Sequence, residues 1–125
     1  MSAALARARA MIGVRFRPRG RTPEAGLDCV GLAGWAFGAA VPGSYAMRSG
    51  DVARVRAIVA AAGLVAAQGR APGDLVLFAS GAGQLHLGID SGTGLIHADA
   101  MLRRVVERPD PLPWPVLGRW RQSED

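Results

Sequence analysis

Along this 125-residue chain the spacing of apolar positions changes once, near Arg70, from a period of three to four residues to short unbroken runs. The first part predicts helices. From Ser2 to Ile12 an Ala-rich stretch of high helix propensity places Leu5, Ala8 and Ile12 on one face, with Gly13 as the stop. Val14 to Leu27 carries Pro18, Gly20, Pro23 and Gly26, which break any period and predict a loop. Asp28 is a favoured N-cap residue, and Val30, Leu32, Ala33, Ala36 and Phe37 follow at helical spacing, so Cys29 falls in the first turn of a buried helix that Pro42 and Gly43 end. Asp51 predicts a third N-cap, with Val52, Val55, Val59 and Ala62 on one face and Gly63 closing the helix.

The second part predicts strands. Asp74 to Ser80, Leu85 to Asp90 and Gly94 to Ala98 are apolar runs separated by Gly81-Ala82-Gly83 and Ser91-Gly92-Thr93, both hairpin signals. Arg104 to Glu107 and Val116 to Trp120 extend the set. Helices first and strands afterwards predict an α+β domain, its N-terminal helices packed on one face of an antiparallel β-sheet. Neither a repeat nor a low-complexity linker divides the chain, so residues 1–125 are expected to form a single domain.

Composition narrows the chemistry. Half of the residues are apolar, enough at this length to bury about two-thirds of the unfolded chain's surface around one core. The only cysteine is Cys29, which excludes an intramolecular disulfide and a multi-thiolate zinc site. Met1 to Met11, with Arg7 and Arg9 interspersed, lacks the unbroken apolar stretch of a secretory signal, and no run reaches membrane-spanning length. Synthesis in the cytoplasm without a signal peptide and without membrane insertion is the expectation. The formal charge is +5 and every cationic side chain is Arg. Arg15, Arg17, Arg19 and Arg21 share one segment, which reads either as a solvated loop or as a clamp for carboxylates or an anionic polymer. No aromatics alternate with these arginines to stack single-stranded bases, so no nucleic-acid partner is expected.

Candidate chemistry centres on Cys29. A free cysteine is commonly a small buried hydrophobe, but one at a helix N-terminus feels the positive end of the macrodipole, and a thiolate-favouring, lowered pKa is the expectation there. Unpaired N–H groups at the same helix end can receive an oxyanion. The chain has two histidines, and both fall in the predicted hairpin. His86 shares a strand face with Gly88, and His97 with Leu95, so both rings can point from neighbouring strands toward the helix end. A neutral His86 titrating near neutrality suits a general base. His97 would then hold its second nitrogen, with Asp99 as the alternative orienting group. Two imidazoles flanked by Asp90 and Asp99 make a poor zinc site, so no metal or other cofactor is expected.

These residues lie in blocks that resemble a known family. Gly26-Leu27-Asp28-Cys29-Val30-Gly31-Leu32 resembles the Asp-Cys-Ser-Gly-Leu signature of the NlpC/P60 cysteine peptidases. Pro72-Gly73-Asp74-Leu75, His86-Leu87-Gly88-Ile89 and Leu95-Ile96-His97-Ala98 resemble the family's Pro-Gly-Asp-Leu, His-Val-Gly-Ile and Ile-His-Ala strands, in the same order. Ile12-Gly13-Val14-Arg15-Phe16 resembles the segment leading into its substrate loop. The likeness runs from about Ala8 to Asp99.

The resemblance implies a papain-like α+β fold and hydrolysis of peptidoglycan stem peptides, typically between D-glutamate and a diamino acid. It makes Cys29 the nucleophile, His86 the base and His97 the polar third residue, with Asp28 helping to bind the substrate's amino end. Two positions depart from the pattern: Val30 replaces the motif serine and Phe16 the upstream tyrosine. Phe16 and Arg17 are thus the expected substrate-binding positions beside Asp28, with Arg19 or Arg21 able to supply a further carboxylate contact. In compactness the chain is similar to the stand-alone NlpC/P60 peptidases of phage tails and gene transfer agents, which implies phage-like tail proteins as partners and delivery to the cell wall in a particle. Two alternatives stay open: a papain-like thiol hydrolase or acyltransferase acting on another amide or ester, and a catalytically silent structural tail component.

Overall fold

The structure is a computed structural model that describes residues 2–41 and 51–122. Its elements run α1 (Ala3–Ala10), β1 (Arg21–Thr22), β2 (Gly26–Leu27), α2 (Cys29–Phe37), α3 (Val52–Ala61), β3 (Leu64–Ala66), β4 (Leu75–Gly81), β5 (Gln84–Asp90), β6 (Gly94–Asp99), β7 (Arg104–Pro109) and β8 (Val116–Gln122). β1 and β2 pair with each other, while the other strands form one antiparallel sheet in the order β3-β8-β4-β5-β6-β7. This is the α+β arrangement that the change of period predicts.

Local chemistry starts each helix where expected. Ser2, Asp28 and Asp51 each accept a hydrogen bond from the backbone N–H three residues on, which satisfies an otherwise orphaned donor and contributes about 0.5–2 kcal/mol per cap. The helix ends differ from expectation. α1 stops at Ala10 and buries Ala4 and Ala8, leaving Ile12 exposed. α2 ends at Phe37 because Gly38 adopts a left-handed conformation, φ 67°, and closes the helix back onto Gly34 and Trp35, a cap that glycine forms without a Cβ penalty. Pro42 and Gly43, expected to end α2, lie outside the described residues. Two further differences are strands. The expected 14–27 loop contains the short β1–β2 pair, and β3 forms an edge directly after α3.

Alternation along β4, β5 and β6 divides side chains between two faces. Toward the helices, Leu75, Leu77, Leu85, Leu87 and Trp120 pack with Val30, Ala33, Val55 and Val59. Ile89, Ile96, Ala98 and Val105 pack with Ala4, Ala8, Leu32 and Ala36. Each fully buried Leu or Ile here contributes about 1.5–3 kcal/mol relative to exposure. The opposite face carries Val76, Phe78 and Leu95, covered by Leu112 and Trp114. It also carries an ion network, in which Arg119 reaches both Asp74 (3.0 Å) and Asp90 (2.8 Å) and Arg121 reaches Asp74 at 3.0 Å. Asp74 is 1% exposed, and such a buried carboxylate is tolerable only with this degree of pairing.

The start of α2 is seated by backbone contact. Gly31 faces the Gly20 carbonyl so closely that a Cβ would fall inside it. The close approach therefore serves the loop before the helix, and Gly34 faces Ala39 and Val41. Gly31→Ala should destabilise the domain by about 1–3 kcal/mol, the usual range for overpacking. Urea unfolding measures it, and an unchanged midpoint would refute the close contact.

Candidate active site

Cys29 is the first residue of α2, and Asp28 fixes the turn before it. The Asp28 Oδ1 accepts from the Gly31 N–H and from the Arg21 Nη1, both at 2.8 Å, and Oδ2 accepts from the Arg19 N–H at 2.9 Å. One carboxylate thus caps the helix and anchors the arginine-bearing loop. Leu27, fully buried just upstream, pins the same corner to the core.

The sheet opens where this helix end meets it. β5 is hydrogen-bonded to β4 along most of its length and β6 to β7 along all of its own, yet β5 and β6 pair only at Ile89↔Ile96 and Asp90↔Leu95. Beyond those pairs the strands part. The Leu87 backbone N–H, left out of the β5–β6 ladder, hydrogen-bonds the Cys29 sulfur. His86, its chain neighbour, projects to the other side of β5 with Gly88, and His86 Nε2 lies 2.8 Å from His97 Nδ1. The rings meet edge to face, with centroids 5.0 Å apart and planes at 87°. Nucleophile candidate and histidine pair therefore occupy the two sides of one split in the sheet.

Of the two orienting candidates, His97 makes the contact. Asp99 spends its Oδ1 on the backbone N–H groups of Met101 and Leu102, at 2.9 and 3.1 Å. His97 is 3% exposed, and its Nε2 is buried without a hydrogen-bond partner.

Burial dominates the electrostatics, and it corrects two expectations. The Cys29 thiol is pushed up from 9.0 to about 12, chiefly by desolvation, with the Asp28 charge adding to the rise. The Leu87 and Val30 backbone groups and Arg21 oppose it without prevailing. The helix end therefore does not hold a resting thiolate. His86 is lowered from 6.5 to about 4 by burial and then by His97, against the opposing Asp99 carboxylate. It does not titrate near neutrality. His97 is lowered as well, first by burial and then by the Arg108 charge, with Asp99 opposing. Thiol and imidazoles all rest neutral at pH 7.

The remaining expected positions are placed as follows. Phe16 is partly buried and packs on the cluster around Leu27 and Val105, its N–H donating to the Arg103 carbonyl at 2.9 Å. Arg17 is exposed, and its backbone bonds Leu27 and Gly20. Arg19 is exposed, whereas Arg21 is held by Asp28. The structure adds Trp114, whose ring lies 5.3 Å from His86 and 5.6 Å from His97. No helix among the described residues is long and apolar enough to cross a membrane, and no three His, Cys, Asp or Glu side chains among them gather as a metal site.

The lowered His86 gives a signed prediction. Between about 6.5 and about 4 the unfolded chain binds a proton that folded His86 refuses, so the stability present above 6.5 falls as pH drops through that window. The melting temperature of the wild type should decline from pH 6.5 to 4, and that of His86→Gln less steeply; equal slopes would contradict the assignment. The raised thiol predicts no Cys29-dependent thiolate absorbance near 240 nm at pH 7, read against Cys29→Ser.

No protein-family model and no curated protein matches the sequence. Solved structures do match. The NlpC/p60 domain of the peptidoglycan hydrolase SagA superposes with a TM-score of 0.60 at 25% identity, over 86% of this chain and 86% of that one. The peptidoglycan hydrolase RipB from Mycobacterium tuberculosis superposes with a TM-score of 0.60 at 24% identity, over 96% of this chain and 62% of that one. With its helices on an antiparallel sheet, Cys29 at a helix start and the His86–His97 pair on the neighbouring strands, this chain has the fold of the NlpC/P60 domains of peptidoglycan hydrolases.

Proposed function

We propose that this protein is a cysteine peptidase of the NlpC/P60 type that hydrolyses peptidoglycan stem peptides, with Cys29 as nucleophile, His86 as general base and His97 as the orienting group. The observation that carries the reading is the 2.8 Å His86–His97 bond beside the split where the Leu87 N–H meets the Cys29 sulfur. The names of the SagA and RipB structures supply the substrate class, and the sequence likeness supplies the bond, that between D-glutamate and a diamino acid.

In this reading the proton movements run in the following order. With His86 Nε2–H donating to His97 Nδ1, the lone pair of His86 lies on Nδ1 and is free for the thiol proton. As the Cys29 sulfur bonds the carbonyl carbon, its proton passes to that nitrogen and the carbonyl π pair moves onto oxygen. The Cys29 N–H is the donor that α2 offers this oxyanion, since the Gly31 N–H is committed to Asp28 and the Val30 N–H to the Cys29 sulfur. Collapse of the intermediate expels the amine, which takes the proton from His86. A water then gives a proton to His86 as it adds to the thioester carbonyl, the carbon–sulfur bond breaks to release the acid, and the Cys29 sulfur takes the proton back from His86. Because thiol and imidazole rest neutral, the proton leaves sulfur only in the presence of His86 as base. His97 accepts from the imidazolium that forms, which limits the cost of placing that charge in a dry site.

Asp28, Phe16 and Arg17 border the substrate in this reading, with Asp28 Oδ2 directed at a substrate amine and Arg17 at a carboxylate. The likeness to stand-alone peptidases of phage tails and gene transfer agents extends the proposal to a cell-wall hydrolase made in the cytoplasm and delivered in a phage-like particle.

Mass spectrometry of stem-peptide fragments tests the chemistry. The wild type should cleave between D-glutamate and the diamino acid, Cys29→Ala should not, and His86→Ala should lose about 10²–10⁴-fold in rate. Arg17→Ala should raise KM with kcat unchanged. Cleavage of other amides or esters alone would move the protein to another thiol hydrolase activity, and turnover of no amide or ester at all would make it a structural component.

A further inference from the structure

β7 lies at one edge of the sheet and β8 lies between β3 and β4, so the 110–115 connection must cross β6, β5 and β4 to join them. It crosses on the face away from the helices, where Leu112 and Trp114 cover Val76, Phe78 and Leu95. The crossing is stiff. Pro109, Pro111, Pro113 and Pro115 occupy alternate positions, each with a fixed φ. It is also tied down at both ends. The Asp110 N–H donates to the Thr93 carbonyl at 3.0 Å, Arg70 pairs with the Asp110 carboxylate at 2.9 Å, and the Ala79 N–H donates to the Pro115 carbonyl at 3.0 Å.

At the middle of this strap stands Trp114. Its ring meets His86 (5.3 Å, 68°), His97 (5.6 Å, 75°) and Phe78 (5.6 Å, 63°) edge to face, and the Arg108 guanidinium lies 5.5 Å from its centroid on the exposed side. Such aromatic pairs contribute beyond area burial, and a cation over the ring adds to the attraction. Hydrogen bonding does not account for the position of His97 alone, because its Nε2 has no partner. Packing by Trp114 supplies what is missing.

We propose that the proline strap is the roof of the histidine relay and that Trp114 is its positioning residue, holding both imidazoles in register and keeping water off them while Cys29 approaches from the helix side. The proposal deepens the peptidase reading and rests on it only where turnover is concerned. The charged and titratable groups facing the pair are Asp99 from the end of β6 and Arg108 from β7. Losing the roof hydrates both rings and removes the main cause of their depressed basicity.

The test uses the full chain and two readouts. In the wild type, the ring N–H proton shared by His86 and His97 should be visible by NMR and slow to exchange with water; a proton lost to rapid exchange would overturn the roof without any variant. In Trp114→Ala, the NMR titration of His86 should move up by one unit or more toward 6.5 and that of His97 should move in the same direction, while Trp114→Phe should stay near the wild type. Unchanged titrations in Trp114→Ala would refute the proposal. With stem peptide, Trp114→Ala should lower kcat about 10-fold or more with KM nearly constant, restored in part by phenylalanine. A rise in KM alone would reassign Trp114 to substrate contact. A wild type that cleaves no stem peptide but keeps the slow proton and the titration shift would fail the peptidase reading and leave the roof standing.

Discussion

Everything at the candidate site depends on where α2 begins, and a single carboxylate decides that. Asp28 bonds the Gly31 N–H, the Arg19 N–H and the Arg21 guanidinium at once, so helix, loop and first turn cannot move independently. With Leu27 buried on one side and Gly31 against the Gly20 carbonyl on the other, the position of Cys29 along β5 is fixed within the packing tolerance of a core. Only from that position does its sulfur meet the Leu87 N–H at the point where β5 leaves β6. Had the β5–β6 ladder continued, that N–H would be committed to a strand partner and unable to bond the sulfur.

The resting charge state follows from the same closeness. A thiol at an exposed helix end gains from the macrodipole, but this one is desolvated by the residues that hold it, and desolvation outweighs the helix end, Arg21 and two backbone hydrogen bonds together. Burial lowers His86 for the same reason with the opposite sign, since it disfavours the imidazolium. A neutral pair stores no charge to be screened or quenched by bulk ions.

Much of this was legible in the sequence because it is local. The N-caps at Ser2, Asp28 and Asp51 depend on one side chain and a backbone N–H three residues away, and all three are formed. The alternation along Leu85-His86-Leu87 and Leu95-Ile96-His97 puts both histidines on one face, where they meet, but that face is turned away from the helices and not toward the start of α2 as expected. The end of α2 lies four or five residues before the position that Pro42 and Gly43 signal, because the left-handed φ of Gly38 becomes visible only in three dimensions. β3 leaves no trace in the sequence, since three residues after a helix carry too little alternation to register. The shifts of Cys29 and His86 are not legible in direction or size, because burial at a site depends on elements remote in sequence.

Trp114 illustrates the deeper limit. In sequence it sits in a run of alternating prolines with no apolar period, which reads as connector, and nothing local relates it to a histidine 28 residues earlier. The relation is topological. Once β8 inserts between β3 and β4 while β7 stays at the far edge, the connection has to cross the face on which His86 and His97 lie, because the helices occupy the other. A flexible crossing would cover the rings only part of the time. Prolines at every second residue reduce the conformations that the segment loses on folding, so the strap stays down at low entropic cost, and its one large aromatic ring meets the histidine pair that the sheet presents. The covering of the site is thus a consequence of strand order, and the sequence records it only as stiffness.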